Sequence, residues 1–164
     1  VIKPVFEVQP GEPLAGVLFY DRPHHSFHFE PDSPVDLADR VGVDGAASLS
    51  IDTLLIDVAV STGQVLLVAG YRPTARWQQR PVAAPIAEPG VVTVRTESEL
   101  ERGVGYSLGS WTTVIDPDTG WVRLNAPEGS TSGRPVEVAS GIVLGIDSGQ
   151  LTALWLQPIF TDTL

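Results

Sequence analysis

The sequence contains no cysteine and no methionine. The absence of cysteine excludes a disulfide framework, a thiolate nucleophile and any cysteine-ligated zinc, and it leaves no record of the redox compartment. Basic residues are scarce: ten Lys and Arg stand against twenty Asp and Glu, for a formal net charge of −10 and a pI near 4.5. Nucleic acids and anionic membrane surfaces are bound through a cationic footprint that releases counterions, so neither is expected as a partner. A neutral or basic protein fits that charge better. Long apolar runs are missing too, since no segment approaches the eighteen or so residues of a membrane helix. The opening VIKPVFEVQPGEP also lacks the basic-then-apolar form of a signal peptide. A soluble, cytoplasmic protein is expected, and a chain that starts without Met is open to trimming ahead of Val1.

What is present argues for a folded β protein. The 164 residues are 43% hydrophobic and only 18% charged, enough to bury a sizeable core, and the 16 Gly and 14 Pro are dispersed as turn punctuation. Apolar runs are short, rich in Val, Ile and Leu, and bounded by Gly, Pro or Asp, which is the pattern of strands. They predict strands over residues 5–8, 17–20, 26–30, 46–51, 54–60 and 64–71, and again over 91–95, 110–115, 120–125, 135–139, 142–146 and 150–157.

These two sets of six read as copies. LFYDRPHHSFHF aligns with TVIDPDTGWVRL through Asp21 and Asp116, placing Phe27 and Phe29 over Val122 and Leu124. VAVSTGQVLLV aligns with LGIDSGQLTAL through Gly63 and Gly149. The expected architecture is therefore mainly β: an antiparallel β sandwich or barrel-like fold from two pseudo-symmetric six-strand repeats, with one short helix insertion. Residues 1–71 form the first repeat, 72–88 a Pro-rich linker or strap, and 89–164 the second repeat, packed as one compact unit. The inserted helix is predicted from Ser33 as N-cap and Pro34 at the first helical position to Gly42 as terminator, with Val35, Leu37, Ala38 and Val41 facing inward. Thr96 and Glu99 have the capping-box form for a single further turn. In the strap, Pro73, Pro81, Pro85 and Pro89 forbid a continuous helix or a central strand. Read as extended chain, it sets Arg72, Arg76 and Arg80 on one side and Trp77 on the other.

The segments VIDPDTGWVRL and SGIVLGIDSGQLTALWL, with a more diverged copy in FYDRPHHSFHF and DTLLIDVAVSTGQVLLVAG, resemble a family of short bacterial proteins known only as a domain of unknown function. The resemblance covers about half of each copy and rests on turn and core positions. Where that family tends to carry Gly-Ile-Glu, this chain has Ala153, Leu154 and Trp155. It implies a small β-rich fold and no established activity.

The sharpest chemical feature is DRPHHSFHFE, which holds all three histidines. On a strand His28 and Glu30 share one face, and with the turn residue His25 they could supply three ligands to a divalent metal, with His24 and Asp21 alongside. The opposing expectation is that His28 and Glu30 simply face solvent, as outward residues of a two-faced strand do. DPDTG resembles the start of a calcium loop, but its glycine comes a position early and the final Glu is missing, so a β-turn is expected. No Gly-x-Ser-x-Gly elbow and no nucleotide-binding glycine spacing occurs, and no catalytic residue or organic cofactor is assigned. The acidic run from Glu30 to Asp57 holds Asp32, Asp36, Asp39, Asp44 and Asp52 against a lone Arg40, and the strap with Arg72, Arg76, Trp77 and Arg80 is expected to fold back on it. A docking surface is expected from Asp32, Asp36 and Asp39, together with Arg76 and Trp77. The function expected is a non-catalytic binding or accessory module for a protein partner. The alternative is a metal-dependent small-molecule enzyme or sensor using the His24–Glu30 cluster.

Overall fold

The structure is a computed structural model that describes residues 1–127 and 133–162. The first half supplies β1 (Val5–Gln9), β2 (Gly16–Asp21), β3 (Ser26–Pro31), helix α1 (Pro34–Val41), β4 (Ala46–Ile51), β5 (Leu54–Ala59) and β6 (Val65–Tyr71). The strap holds a 3-10 turn (Thr74–Arg76) and the two-residue strands β7 (Gln78–Gln79) and β8 (Glu88–Pro89). The second half supplies β9 (Val91–Arg95), β10 (Gly105–Gly109), β11 (Thr112–Ile115), β12 (Val122–Asn125), β13 (Arg134–Ala139), β14 (Ile142–Asp147), β15 (Gln150–Leu156) and β16 (Ile159–Thr161). The protein is mainly β with one short helix, as the sequence predicts.

Strand order carries the pseudo-symmetry. One seven-stranded sheet runs β10-β4-β5-β6-β3-β2-β16 and the other β7-β11-β12-β15-β14-β13-β8. The five inner positions correspond one to one, β4-β5-β6-β3-β2 against β13-β14-β15-β12-β11. Within each half these pairings are antiparallel. The edges differ from the all-antiparallel expectation, because β10, β16, β7 and β8 pair in parallel with β4, β2, β11 and β13. Two of these cross between halves: β10 and β16, both from the second half, complete the two edges of the first sheet.

β1 and β9 pair only with each other, with Phe6 opposite Val94. Phe6 N–H donates to the Gly149 carbonyl and Val94 N–H to the Gly63 carbonyl, both at 2.8 Å, so each strand of the ribbon bonds to a hairpin turn of the other half. Gly63 and Gly149 have φ of 76° and 77°, the left-handed conformation that glycine adopts without a Cβ penalty.

Alternating sequence gives alternating burial. Leu18 and Tyr20 on β2, Phe27 and Phe29 on β3, Leu49 and Ile51 on β4, and Leu54, Ile56 and Val58 on β5 all enter a cluster shared with Leu124, Leu144, Leu154 and Leu156 of the second sheet. β14 and β15 instead read as continuous apolar runs and are buried almost throughout. The strap explains why: Val82 packs with Val114, Val143, Ala153 and Trp155 in a second, smaller cluster.

Helix α1 starts as predicted, with the Ser33 Oγ accepting the Asp36 N–H at 3.1 Å, and ends at Gly42. Only Leu37 and Val41 pack against the core; Val35 is exposed. No helical turn forms after Thr96. There the Thr96 hydroxyl bonds the Ser98 carbonyl, and the Tyr106 hydroxyl takes the Glu101 N–H.

The glycine turns generate a prediction. A Cβ on Gly63 would lie 2.4 Å from the Val94 carbonyl oxygen, whereas one on Gly149 would meet nothing nearer than 3.4 Å. Gly149→Ala should therefore cost only the left-handed backbone penalty, about 1–2 kcal/mol. Gly63→Ala, which must also displace β9, should lower the urea midpoint markedly more. Equal midpoints would deny that these turns seat the central ribbon.

Candidate functional site

The histidine hairpin is organised by a buried carboxylate. Asp21 accepts the His24 N–H at 3.4 Å and lies 2.7 Å from His24 Nδ1. Its counterpart Asp116 accepts the Asp118 and Thr119 N–H groups at 3.0 and 3.4 Å and, from the strap, the Val82 N–H at 2.9 Å. The Val82 bond above all holds the Asp116 carboxyl below the usual range. Both aspartates thus close a turn through their own side chains, and DPDTG is the turn expected of it.

Phe27 and Phe29 are buried while His28 and Glu30 are exposed. His25 sits at φ 52° with its ring edge-on to Tyr71, 6.1 Å between centroids. Among the described residues no three His, Asp or Glu side chains gather as a metal ion requires, so the geometry does not bring His25, His28 and Glu30 together as a ligand set. Exchanging His28 for Ala should leave stability within about 0.5 kcal/mol in thermal or urea unfolding. A larger loss, or stoichiometric metal present in wild type and missing in the variant, would restore the metal reading.

The acidic docking residues and the strap lie apart. Asp32 and Asp39 are exposed, and Asp36 is half-buried and bonded to Arg40 Nε at 3.2 Å. Arg40 also donates to the Glu12 and Pro13 carbonyls at 3.0 and 3.4 Å, which ties α1 to the loop ahead of β2. The end of α1 approaches the β5–β6 turn, where a Cβ on Gly42 would lie 3.1 Å from Ser61 Oγ. Arg76 and Trp77 sit instead beside the β4–β5 turn, at the other end of β5, about 20 Å away for six residues of strand. The strap therefore does not fold back on Asp32, Asp36 and Asp39. Of the acidic run it engages Asp52. Its expected alternation also fails, because the 3-10 turn at Thr74–Arg76 leaves Arg72 buried while Arg76 and Arg80 are exposed.

Arg72 is the centre of this junction. Its Nε donates to Thr113 Oγ1 at 2.9 Å, one terminal nitrogen to the Ile51 carbonyl and to Asp52 Oδ2 at 3.1 Å each, and the other to the Trp111 carbonyl at 2.9 Å. Its backbone is held as well, N–H to the His25 carbonyl at 2.7 Å and carbonyl to the Tyr20 hydroxyl at 2.7 Å. Tyr20 is fully buried, and that burial pushes its phenol up to about 12. Burial alone would raise the Asp52 carboxyl. The Ser110 hydroxyl at 2.5 Å, the Trp111 N–H at 3.4 Å and Arg72 outweigh it and hold the group below the usual aspartate range.

The corresponding turn of the second half carries Ser140. Its Oγ accepts the Gly16 N–H at 3.1 Å, as Asp52 accepts that of Trp111, and its own N–H donates to the Leu14 carbonyl, as that of Asp52 does to Gly109. The uncharged version of the motif therefore exists in the same molecule, and only one side has acquired the ion pair.

Beside the ion pair opens a cleft of about 550 Å³, lined by Tyr71, Arg76, Trp77, Gln78, Ser110 and Trp111 with Asp52 and Arg72 in its wall. Trp77 packs on Tyr20 and Phe27 at 5.1 and 6.1 Å between centroids, and its buried indole N–H has no acceptor among the described residues. Sequence reasoning singled out Arg76 and Trp77 but not Ser110, Trp111 or the Asp52–Arg72 pair. The available signal was an aspartate in a two-residue turn between IDTL strands, where φ is 53°.

No protein-family model matches the chain, and no curated protein matches it. Among the described residues, no helix is long and apolar enough to cross a membrane.

The depressed Asp52 carboxyl fixes a sign. An aspartate held below its unfolded value contributes stability that is present above about pH 4 and is lost as pH falls through the folded value. Asp52→Asn should therefore weaken the protein at neutral pH and flatten the acid limb of its stability profile. Arg72→Met, which leaves three acceptors and Asp52 without their donor, should cost more at neutral pH than Asp52→Asn. Urea unfolding between pH 2.5 and 7 checks both.

Proposed function

We propose that this protein is a non-catalytic binding module that holds a protein partner through the cleft at Arg76 and Trp77. The observation that carries the reading is the state of the one carboxylate in the cleft. Asp52 is occupied by Arg72, Ser110 and Trp111 and held ionised, so it has neither the proton of a general acid nor the raised affinity for one that a base working near neutrality needs. Ser110 Oγ spends its proton on that carboxylate, and among the described residues no histidine hydrogen-bonds to it. Aromatic walls with a few fixed polar groups are the composition of a recognition site. The acidic residues Asp32, Asp36 and Asp39, on a body of charge −10, are suited to speeding encounter with a neutral or basic partner and to repelling nucleic acid.

Two measurements test the reading together. A photo-crosslinking residue at position 76 should capture a protein from an extract of the source cells, and excess untagged wild-type protein should displace it. In parallel, ester, amide, phosphate and glycoside model substrates should turn over no faster with wild type than with Asp52→Asn. Turnover that vanishes in Asp52→Asn would replace the binding module with an enzyme.

A further inference from the structure

Resting on that reading, the charge and shape of the cleft specify what the partner inserts. The lining contains one carboxylate and two guanidiniums. Asp52 and Arg72 neutralise each other at 3.1 Å, which leaves Arg76 as the uncompensated charge: it is exposed and makes no ion pair or side-chain hydrogen bond among the described residues. The surrounding chain has the same sign, since residues 72–87 carry Arg72, Arg76 and Arg80 and no Asp or Glu. Three of the ten basic residues of an acidic protein thus fall within nine positions of the strap, two of them, Arg72 and Arg76, in the cleft lining. With a screening length of about 8 Å at physiological salt, a ligand group there responds to these arginines more than to the distant acids of α1.

The other walls are aromatic. Trp111 is almost completely buried and Trp77 half-buried, their positions fixed from opposite halves of the chain, and Tyr71 is half exposed at the rim. Rigid aromatic surfaces beside a guanidinium recognise a large apolar side chain next to an anion. A peptide rather than a small acid is indicated by β7. Its Gln78 lines the cleft, and it is the terminal strand of its sheet, paired with β11 on one side only. An extended segment can add to such an edge by main-chain hydrogen bonds while alternate side chains enter the cleft.

We infer that the cleft receives an extended segment of the partner in which one Asp or Glu carboxylate pairs with Arg76 and an adjacent large apolar side chain lies against Trp77 and Trp111. The partner as a whole can still be neutral or basic. The requirement applies to the inserted segment.

The four tryptophans give a direct readout in 15N-labelled protein, two at the cleft and Trp121 and Trp155 on the strap-covered face as internal controls. The probes are the capped tetrapeptide Ser-Phe-Asp-Ser, its Asn and Lys analogues, and phenylacetate. The Asp peptide should shift the indole signals of Trp77 and Trp111 and leave the other two in place, with at least tenfold tighter binding than either analogue. Arg76→Gln, an exposed substitution that should leave the spectrum folded, should erase the tenfold preference. Equal binding of the Asn or Lys peptide, a preference that survives in Arg76→Gln, or no indole shift with any peptide would overturn the inference. Shifts with phenylacetate but not with the peptide would also overturn it, in favour of a free small acid. None of these outcomes touches the binding-module reading, which stands or falls on crosslinking and turnover.

Discussion

The fold depends on burying one guanidinium between its halves. Arg72 emerges from the end of β6, and all six of its polar contacts reach residues distant in sequence: Tyr20, His25, Ile51, Asp52, Trp111 and Thr113. A planar group with donors in a fixed fork can satisfy acceptors on several strands at once, which a flexible ammonium cannot do as well. Burying it without an acid would be costly. Asp52 supplies the countercharge and is itself positioned by a turn that only a few residue types accept. The charge, the turn and the seam between the sheets therefore constrain one another.

That seam also explains the crossed edges. If each half kept all its strands, two sheets would meet only through side chains. Instead β10 and β16 of the second half hydrogen-bond into the first sheet, and Leu14 of the first half bridges to Ala139 in the second. The outer sides of β4 and β2 are thus covered by chain from the other half, which hides backbone groups that would otherwise invite non-specific pairing, while β7 stays a terminal strand of the second sheet. The Phe6–Val94 ribbon is the symmetric core of the arrangement, since each strand there donates to the hairpin of the opposite half.

The parts of this architecture that the sequence reveals are those with a local cause. Twelve strands announce themselves by alternating or continuous apolar residues and by turn glycines, and α1 by Ser33, Pro34 and Gly42. The other four, β7, β8, β10 and β16, do not, because segments such as Gln78–Gln79 or Glu88–Pro89 become strands only by lying beside a partner from elsewhere in the chain. Thr96 and Glu99 show the reverse case, a correct local signal overridden by Tyr106. The cleft was equally hidden. Its residues come from 52–53, 71–78 and 110–113, and no single window contains both tryptophans or both members of the ion pair. The histidine cluster is the opposite case: it is dense in sequence, and alternation along β3 does leave His28 and Glu30 on one face, but among the described residues no third ligand gathers with them.

The comparison within the molecule bears most directly on function. A pseudo-symmetric fold supplies its own control, because equivalent positions share a structural duty and differ only where something further acts. Asp52 and Ser140 both receive an amide from the opposing half, so closing the turn needs no more than a serine hydroxyl. Arg72 then brings a charge that the seam must balance, on the side where the strap passes and the aromatic cleft opens. A structural requirement alone would be met by the Ser140 arrangement on both sides. The added ion pair, with Arg76 beside it, distinguishes the side of the molecule that carries the aromatic cleft from its Ser140 counterpart.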